Sequence, residues 1–224
     1  EEKLELKRQK EIEDECRIRG VSFEIIADAQ STAILLQISD PEVNMDVAKL
    51  EKVPRIAVYS PKNKQPWDDA VTLVLTYAEV PYDVVYDDEV LDGKLLLYDW
   101  LHLHHEDFTG QYGRFWHSYR SAPWYIEQVK YSEDLARKNG FKKVSELKLA
   151  VANRIKEYAV GGGFLFAMCS GTDSYDIALS AHKLDICESM FDGDASTPNY
   201  NSALDYDNTL AFENFSLRMS PYEY

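Results

Sequence analysis

The sequence predicts an α/β protein built on a doubly wound, mostly parallel sheet. Short apolar segments with the character of strands alternate with longer segments of helical periodicity. The run Phe164 to Met168 is apolar throughout, as strands are when helices cover both faces of a parallel sheet. The segment Ser145 to Tyr158 places Leu147, Val151 and Ile155 on one helical stripe. Strands that alternate with helices in this way form parallel sheets, because each crossover returns through a helix.

The chain divides into two parts, and residues 1–52 form the smaller one. Residues 1–19 read as a charged helix that stops at Gly20. A strand over Val21–Ile26, a short helix over Ala33–Ile38 and a strand over Met45–Leu50 follow, which makes a β-α-β-like segment. We expect this segment to pack on the main domain, residues 53–224.

The main domain continues the alternation of strands and helices. We predict strands over Arg55–Tyr59, Tyr82–Tyr86, Leu95–His104 and Phe164–Met168, with weaker ones near Leu210–Phe212 and Phe215–Leu217. We predict helices over Pro66–Val80, within 113–140 with an interruption at Pro123, over Ser145–Tyr158 and over Thr172–Leu184. In such sheets ligands bind at the carboxyl ends of the strands, where two polar segments stand out, at 104–107 and 169–171.

Composition and charge exclude several classes of protein. Hydrophobic residues make up 45% of the 224 residues, so the chain can bury a core and is not globally disordered. The net charge is −15, and residues 161–224 hold ten acidic and two basic residues, so nucleic acid is a poor partner. Apolar runs are far too short to span a bilayer. Three cysteines, Cys16, Cys169 and Cys187, are too few and scattered for a disulfide framework.

A candidate catalytic residue, Cys169, lies where an apolar strand runs directly into a helix. Ala167 and Gly171 flank it at two residues' distance, and a nucleophile elbow requires small residues there. A thiol before a helix N-terminus meets the positive end of the dipole, and the N–H groups of Ser170, Gly171 and Thr172 suit ligand or oxyanion binding. The alternative is a buried, inert cysteine that ends a core strand.

Histidines and carboxylates cluster at the end of the preceding strand. His104 or His105 is a candidate general base for Cys169, with Glu106 orienting the imidazole. The alternatives are a structural cluster, which ranks first, and a metal site formed by His104 with Glu106 or Asp107, which ranks last. We therefore predict no metal and no cofactor.

Three further features of the sequence leave both a functional and a structural interpretation open. Gly110 and Gly113 suit a close approach of the backbone to a ligand. Asp192-Gly193-Asp194 is more typical of an exposed turn than of a calcium site. The aromatic residues of the segment 116–125 favour helix packing over a groove for sugar or peptide.

The alternation from Ile56 onward, with the elbow from Ala167 to Gly171, resembles the class I glutamine amidotransferase-like fold, which is flavodoxin-like. The stretches Trp67–Val71, Tyr98–Gly113, Ala122–Ile126 and Phe166–Ser170 resemble a narrower group of Bacteroidetes proteins that are labelled "asparagine synthetase B". The resemblance covers most of the chain. It implies a longer protein with a signal sequence and a further C-terminal portion, and a periplasmic or cell-envelope location with a possible envelope-complex partner.

The chain departs from both families at the residues that carry their chemistry. The segment Ser170–Ser174 is one residue short of an ATP-pyrophosphatase loop and lacks its second glycine, which disfavours an ATP-dependent amide ligase. Class I amidotransferases pair the elbow cysteine with a downstream His-x-Glu, whereas only His182 follows Cys169 here. We therefore expect a divergent, non-glutaminase domain that binds a ligand or assembles in the envelope; a hydrolase or amidase that uses Cys169 is the alternative.

Overall fold

The computed structural model describes residues 2–43, 53–62, 70–112 and 115–220. The chain separates into two compact units, Glu1–Lys52 and Val53–Tyr224. Among the described helices, none combines the length and the apolar character that a bilayer crossing requires.

Two helices make up the described part of the first unit. Helix α1 spans Glu2–Ile18, and helix α2 spans Asp28–Ile38. The predicted strand Val21–Ile26 is wrong: this segment has no strand pairing, and its side chains are largely exposed. Alternating apolar residues form a strand only where a neighbouring strand supplies hydrogen bonds and a core covers one face. The predicted strand Met45–Leu50 lies outside the described residues.

A four-stranded, all-parallel sheet forms the centre of the second unit, which confirms the predicted α/β class. Its strands are β1 Ile56–Tyr59, β2 Tyr82–Val85, β3 Trp100–Leu103 and β4 Phe164–Ala167. They lie in the order β2-β1-β3-β4. From β1 the chain crosses to β2 on one side of the sheet, and it then returns past β1 to add β3 and β4 on the other side. The direction of the crossovers therefore reverses between β1 and β3.

The described part of the second unit also contains seven α-helices. They are α3 Ala70–Tyr77, α4 Asp87–Leu91, α5 Trp116–Tyr119, α6 Pro123–Lys138, α7 Val144–Val160, α8 Ser170–Ser180 and α9 Ser189–Asp192. Part of the predicted helix Pro66–Val80 lies outside the described residues. Proline 123 begins α6 rather than interrupting a helix, as suits a residue that has no N–H to donate.

The two faces of the sheet differ in how far they are buried. Ala57, Leu101 and Leu103 point to one face and join the main core, to which α7 and α8 also contribute. On the opposite face His102 pairs in register with Phe166, and Phe166 and Phe164 remain 43% and 57% exposed. The continuous apolar run of β4 predicted burial on both faces. Phe164 and Phe166 are instead half exposed, because they point to the face opposite the main core, whereas Leu165 and Ala167 pack against that core.

Three of the predicted strands of the second unit are shorter than expected or absent. The segment Leu95–His104 begins as a 3-10 helix over Lys94–Leu97, in which Leu96 is 81% exposed, and only its second half is β3. The segments Leu210–Phe212 and Phe215–Leu217 are not strands. The first is held instead by the buried Asp176 carboxylate, which accepts hydrogen bonds from the N–H groups of Leu210, Ala211 and Phe212, each at 2.8 Å.

Candidate functional site

The carboxyl ends of the four strands bring the polar residues of the second unit to one edge of the sheet. Tyr59 ends β1, Asp87 begins the helix after β2, His104 follows β3, and Cys169 follows β4 by two residues. Because the strands are parallel, these side chains share the edge at which α/β proteins bind their ligands.

Cys169 is exposed and occupies a strained turn between β4 and α8. Its backbone has φ 50° and ψ −138°, a region that residues other than glycine rarely adopt. A sharp, strained strand-to-helix turn of this kind is the conformation of a nucleophile elbow. The thiol is therefore exposed at the N-terminus of α8. The alternative interpretation of Cys169 as a buried, inert cysteine is wrong.

The first turn of α8 packs directly on the end of β3. The N–H of Gly171 donates to the oxygen of His104 at 2.9 Å, and a Cβ at Gly171 would lie 2.8 Å from that oxygen. The Ser170 hydroxyl donates to the oxygen of His105 at 2.6 Å, and the N–H of Thr172 donates to the oxygen of Cys169 at 3.0 Å. Gly171 is therefore required for packing, and polar groups predicted to bind a ligand are engaged within the protein.

Two histidines of the cluster, His104 and His102, have lowered pKa values. Burial, followed by the neighbouring His105 and His102, lowers the pKa of His104 to about 4. The ring centroids of His104 and His105 are 3.5 Å apart. Burial also lowers the pKa of His102, whose Nε2 is buried without a hydrogen-bond partner. His104 is thus an imidazole at neutral pH, and its low pKa makes it a weak base.

Glu106 is buried, and its carboxylate supports the backbone of this loop. Its Oε2 accepts a hydrogen bond from the N–H of His104 at 3.2 Å. The neighbouring Asp107 accepts hydrogen bonds from the N–H and the hydroxyl of Thr109, at 2.8 and 2.5 Å. Both carboxylates therefore shape the turn after β3.

His182, the one histidine that follows Cys169 in the chain, lies beyond the opposite end of α8. Eleven residues of helix separate the two, which corresponds to roughly 16 Å. The His182 ring contacts the backbone oxygen of Leu179 at 3.2 Å, and its Nε2 lies 3.7 Å from Asp205. It cannot act as a base for Cys169 in this arrangement.

A crevice at the carboxyl edge, which we call the carboxyl-edge crevice, has an open volume of about 520 Å³. Its lining consists of Pro61, Tyr86, His105, Glu106, Asp107, Gly110, Tyr112, Phe115, Gln128, Ser132, Val144 and Lys148. The loop after β3 forms one wall, and Gln128 and Ser132 of α6 stand one helical turn apart on another. Cys169 is outside this lining, so the exposed thiol and the crevice are separate features.

Of the two glycines predicted to allow a close approach to a ligand, Gly110 and Gly113, the structure describes only Gly110. Gly110 lines the crevice with φ +82°, and a Cβ there would lie 2.8 Å from the backbone of Ser145. Contact with the start of α7 therefore already requires a glycine at position 110. Gly113 lies outside the described residues.

Lys148, which lines the crevice, belongs to a buried ion pair that the sequence interpretation missed. The ammonium of Lys148 donates to both carboxylate oxygens of Asp87 at 2.9 Å and to the hydroxyls of Tyr59 and Tyr86 at 2.9 and 3.0 Å. Lys148 is 4% exposed and Asp87 is 1% exposed. Burial, and then the Asp87 charge, raise the pKa of Tyr59 well above its usual value. The lysine charge is therefore matched inside the protein.

The only group of three or more side chains with metal-ligand spacing, among the residues described, is Asp185, Asp192 and Asp194. The ammonium of Lys143 binds all three carboxylates, at 2.6, 3.0 and 2.5 Å. The aspartates that the sequence assigned to a turn or a calcium loop therefore hold a lysine. His104 belongs to no such group.

Comparison of the chain with protein-family models, with curated proteins and with solved structures gives no match. Fold and site define its class as an α/β protein with a four-stranded parallel sheet and a crevice at its carboxyl edge.

Proposed function

We propose that the second unit is a divergent amidotransferase-like domain that binds a small polar ligand in the carboxyl-edge crevice and does not hydrolyse glutamine. The observation that carries this proposal is the position of the crevice, beside the point where the crossovers reverse between β1 and β3. Open parallel sheets bind their ligands at such a point. The strand order β2-β1-β3-β4 also supports a flavodoxin-like arrangement, since it matches the first four strands of that order.

The loss of glutaminase chemistry is inferred from two of the candidate bases, His182 and His104; the third, His105, is tested with the alternative function below. His182 is at the far end of α8, and His104, with a pKa of about 4, is too weakly basic to activate a thiol near neutral pH. Glutamine hydrolysis needs a base near the operating pH that takes the thiol proton and returns it to the leaving amine.

The lining of the crevice favours a small ligand. Polar groups from the loop after β3 and from α6 line the crevice, together with Lys148, whose ammonium is held by Asp87. Rigid walls keep the entropic cost of binding low.

Equilibrium dialysis of the whole chain against a small-molecule extract, read by mass spectrometry, tests the proposal. We expect a retained compound for the wild type and for Glu127→Phe, which adds a ring to an exposed position outside the crevice. Gln128→Phe places the same ring inside the crevice and should abolish retention. Equal retention by the two variants, or none by the wild type, contradicts the proposal.

The alternative is a cysteine-dependent hydrolase, favoured by the strained, exposed elbow at Cys169. In this case the Cys169 sulfur attacks a carbonyl carbon while His104 or His105 takes the thiol proton, and Glu106 positions the loop. The bond from that carbon to the leaving group breaks, the imidazole returns the proton to the leaving group, and water then hydrolyses the thioester and regenerates the thiol. Cys187, buried and 3.4 Å from the oxygen of Gly110, is the internal control. The hydrolase requires Cys169 to react with iodoacetamide at neutral pH several-fold faster than Cys16 and Cys187, and to slow in His104→Gln or His105→Gln. Labelling of Cys169 that neither variant slows contradicts it.

A location in the cell envelope, with a partner there, is the remaining part of the proposal, and it rests on the resemblance of the sequence. Fractionation of cells that express the full-length protein, followed by cross-linking, measures both. Recovery of the protein outside the envelope fractions contradicts this part and leaves the crevice proposal standing.

A further inference from the structure

A second cavity of the same unit, which we call the aromatic cleft, is lined mainly by rings. Its open volume is about 460 Å³. Tyr112, Trp116, Tyr125 and Phe191 supply the rings, Arg120 supplies one charge, and three further apolar side chains complete the lining. Among the described residues, Tyr112 alone lines both this cleft and the carboxyl-edge crevice, so the two cavities have different chemistry.

The rings of the aromatic cleft are not stacked face to face. Trp116 and Phe191 meet at 68° with their centroids 6.2 Å apart, and Tyr112 and Tyr125 meet at 73° and 6.3 Å. Rings that meet by their edges leave faces on which a planar apolar ligand can stack.

Arg120 brings a positive charge that no carboxylate matches. Among the described residues its guanidinium forms no ion pair: it donates to the oxygen of His117 at 2.6 Å and lies 5.0 Å from the Trp116 ring centre. The chain carries a net charge of −15, and many of its basic side chains are paired with acids. A guanidinium on an aromatic ring at the rim of a cleft favours an anion, and its fork matches a carboxylate.

Tyr125 adds an independent observation. It is 4% exposed, and its hydroxyl is buried without a hydrogen-bond partner. A buried hydroxyl without a partner costs free energy, so this position is costly to keep in the free protein. A ligand in the cleft that offers an acceptor removes that cost.

We propose that the aromatic cleft binds a small carboxylate that carries an apolar ring. The ring stacks among Trp116, Tyr125 and Phe191. One carboxylate oxygen pairs with Arg120, and the carboxylate also accepts a hydrogen bond from the Tyr125 hydroxyl, which has no other partner among the described residues. This inference does not depend on the function proposed for the carboxyl-edge crevice, because only Tyr112 lines both cavities.

Titration calorimetry of the full chain with three probes that share a benzyl group tests the proposal. We expect saturable binding of phenylacetate and no binding of cationic phenethylamine. Neutral phenylacetamide should bind about tenfold more weakly than phenylacetate, because a tenfold loss of affinity corresponds to one charge-assisted hydrogen bond. Equal affinity for phenylacetate and phenylacetamide overturns the proposal, as does no saturation by phenylacetate up to about 10 mM.

Two variants assign the binding to the cleft. Arg120→Gln should weaken phenylacetate about tenfold and leave phenylacetamide unchanged, whereas Lys130→Gln, an exposed charge on α6 outside the cleft, should change neither. Tyr125→Phe should weaken binding while the free protein unfolds at the same or a higher urea concentration, because the lost hydroxyl had no partner. Unchanged affinity in Arg120→Gln overturns the proposal, and so does unchanged affinity in Tyr125→Phe.

Discussion

The buried pair of Lys148 and Asp87 makes the strongest quantitative prediction. Their side chains are 5% and 1% exposed, and the ammonium is saturated by two carboxylate oxygens and two phenols. Removing one partner of such a pair leaves an uncompensated buried charge. We therefore expect Lys148→Met and Asp87→Asn each to lower the free energy of unfolding by about 3–5 kcal/mol.

The double variant should cost much less than the sum of the single ones. In the wild type the Tyr59 hydroxyl donates to the Asp87 carboxylate. In the double variant neither charge remains, and the oxygen of the asparagine at position 87 can still accept this hydrogen bond. We expect a coupling energy of about 3 kcal/mol or more between the two substitutions. The physical reason is that each single substitution leaves a charge without its counter-ion, whereas the double substitution leaves none.

Urea unfolding followed by tryptophan fluorescence measures this cycle, because all four tryptophans lie in the second unit. The control cycle uses the neighbouring pair of Lys138 and Asp88, which are 2.5 Å apart but 67% and 23% exposed. Because this pair is largely exposed, its coupling should stay below about 1 kcal/mol. Additive effects at Lys148 and Asp87, or equal coupling in the two cycles, would refute the reasoning.

Three further predictions concern single side chains. Asp176→Asn should lower stability by about 2–3 kcal/mol and speed proteolysis near residue 210, because an amide cannot replace a carboxylate that accepts three N–H groups; unchanged cleavage contradicts this. The folded state lowers the pKa of His104 to about 4, so below pH 6.5 the unfolded chain binds the proton first, and stability is lost as the pH falls towards 4. His104→Gln should flatten that part of the urea midpoint profile against pH, whereas exposed His117→Gln should leave it unchanged, and identical profiles contradict the assignment. Cys169→Gly should be more stable than Cys169→Ala by about 1 kcal/mol, because glycine adopts a φ of 50° without strain; the reverse order excludes the strained elbow.

Patterns of the sequence predicted the elements whose signal is local. The apolar run after Gly163 and the stripe of Leu147, Val151 and Ile155 correspond to β4 and α7. The strands predicted at 21–26 and 210–217 failed because alternation in a short segment does not reveal whether another strand lies beside it. A strand depends on partners that are distant in sequence.

In the candidate site, too, the feature that is local in sequence was predictable and the feature that joins distant residues was not. The elbow at Cys169 was predictable because a strand, a turn and a helix follow one another in the chain. The ion pair was not, since 61 residues separate Asp87 from Lys148, although a lysine next to the apolar stripe of α7 and an acid directly after β2 were signals. Neither signal shows that Asp87 and Lys148 lie opposite each other, because that depends on the register of the sheet.

The position of a bound ligand tests the central claim most directly. Amide chemical-shift mapping of the chain, with the compound retained in dialysis, reports which backbone groups respond. The account predicts shifts at 106–110 and at Gln128 and Ser132, which line the carboxyl-edge crevice. Shifts confined to 169–172, with those lining residues unchanged, would place the ligand at the thiol and contradict it.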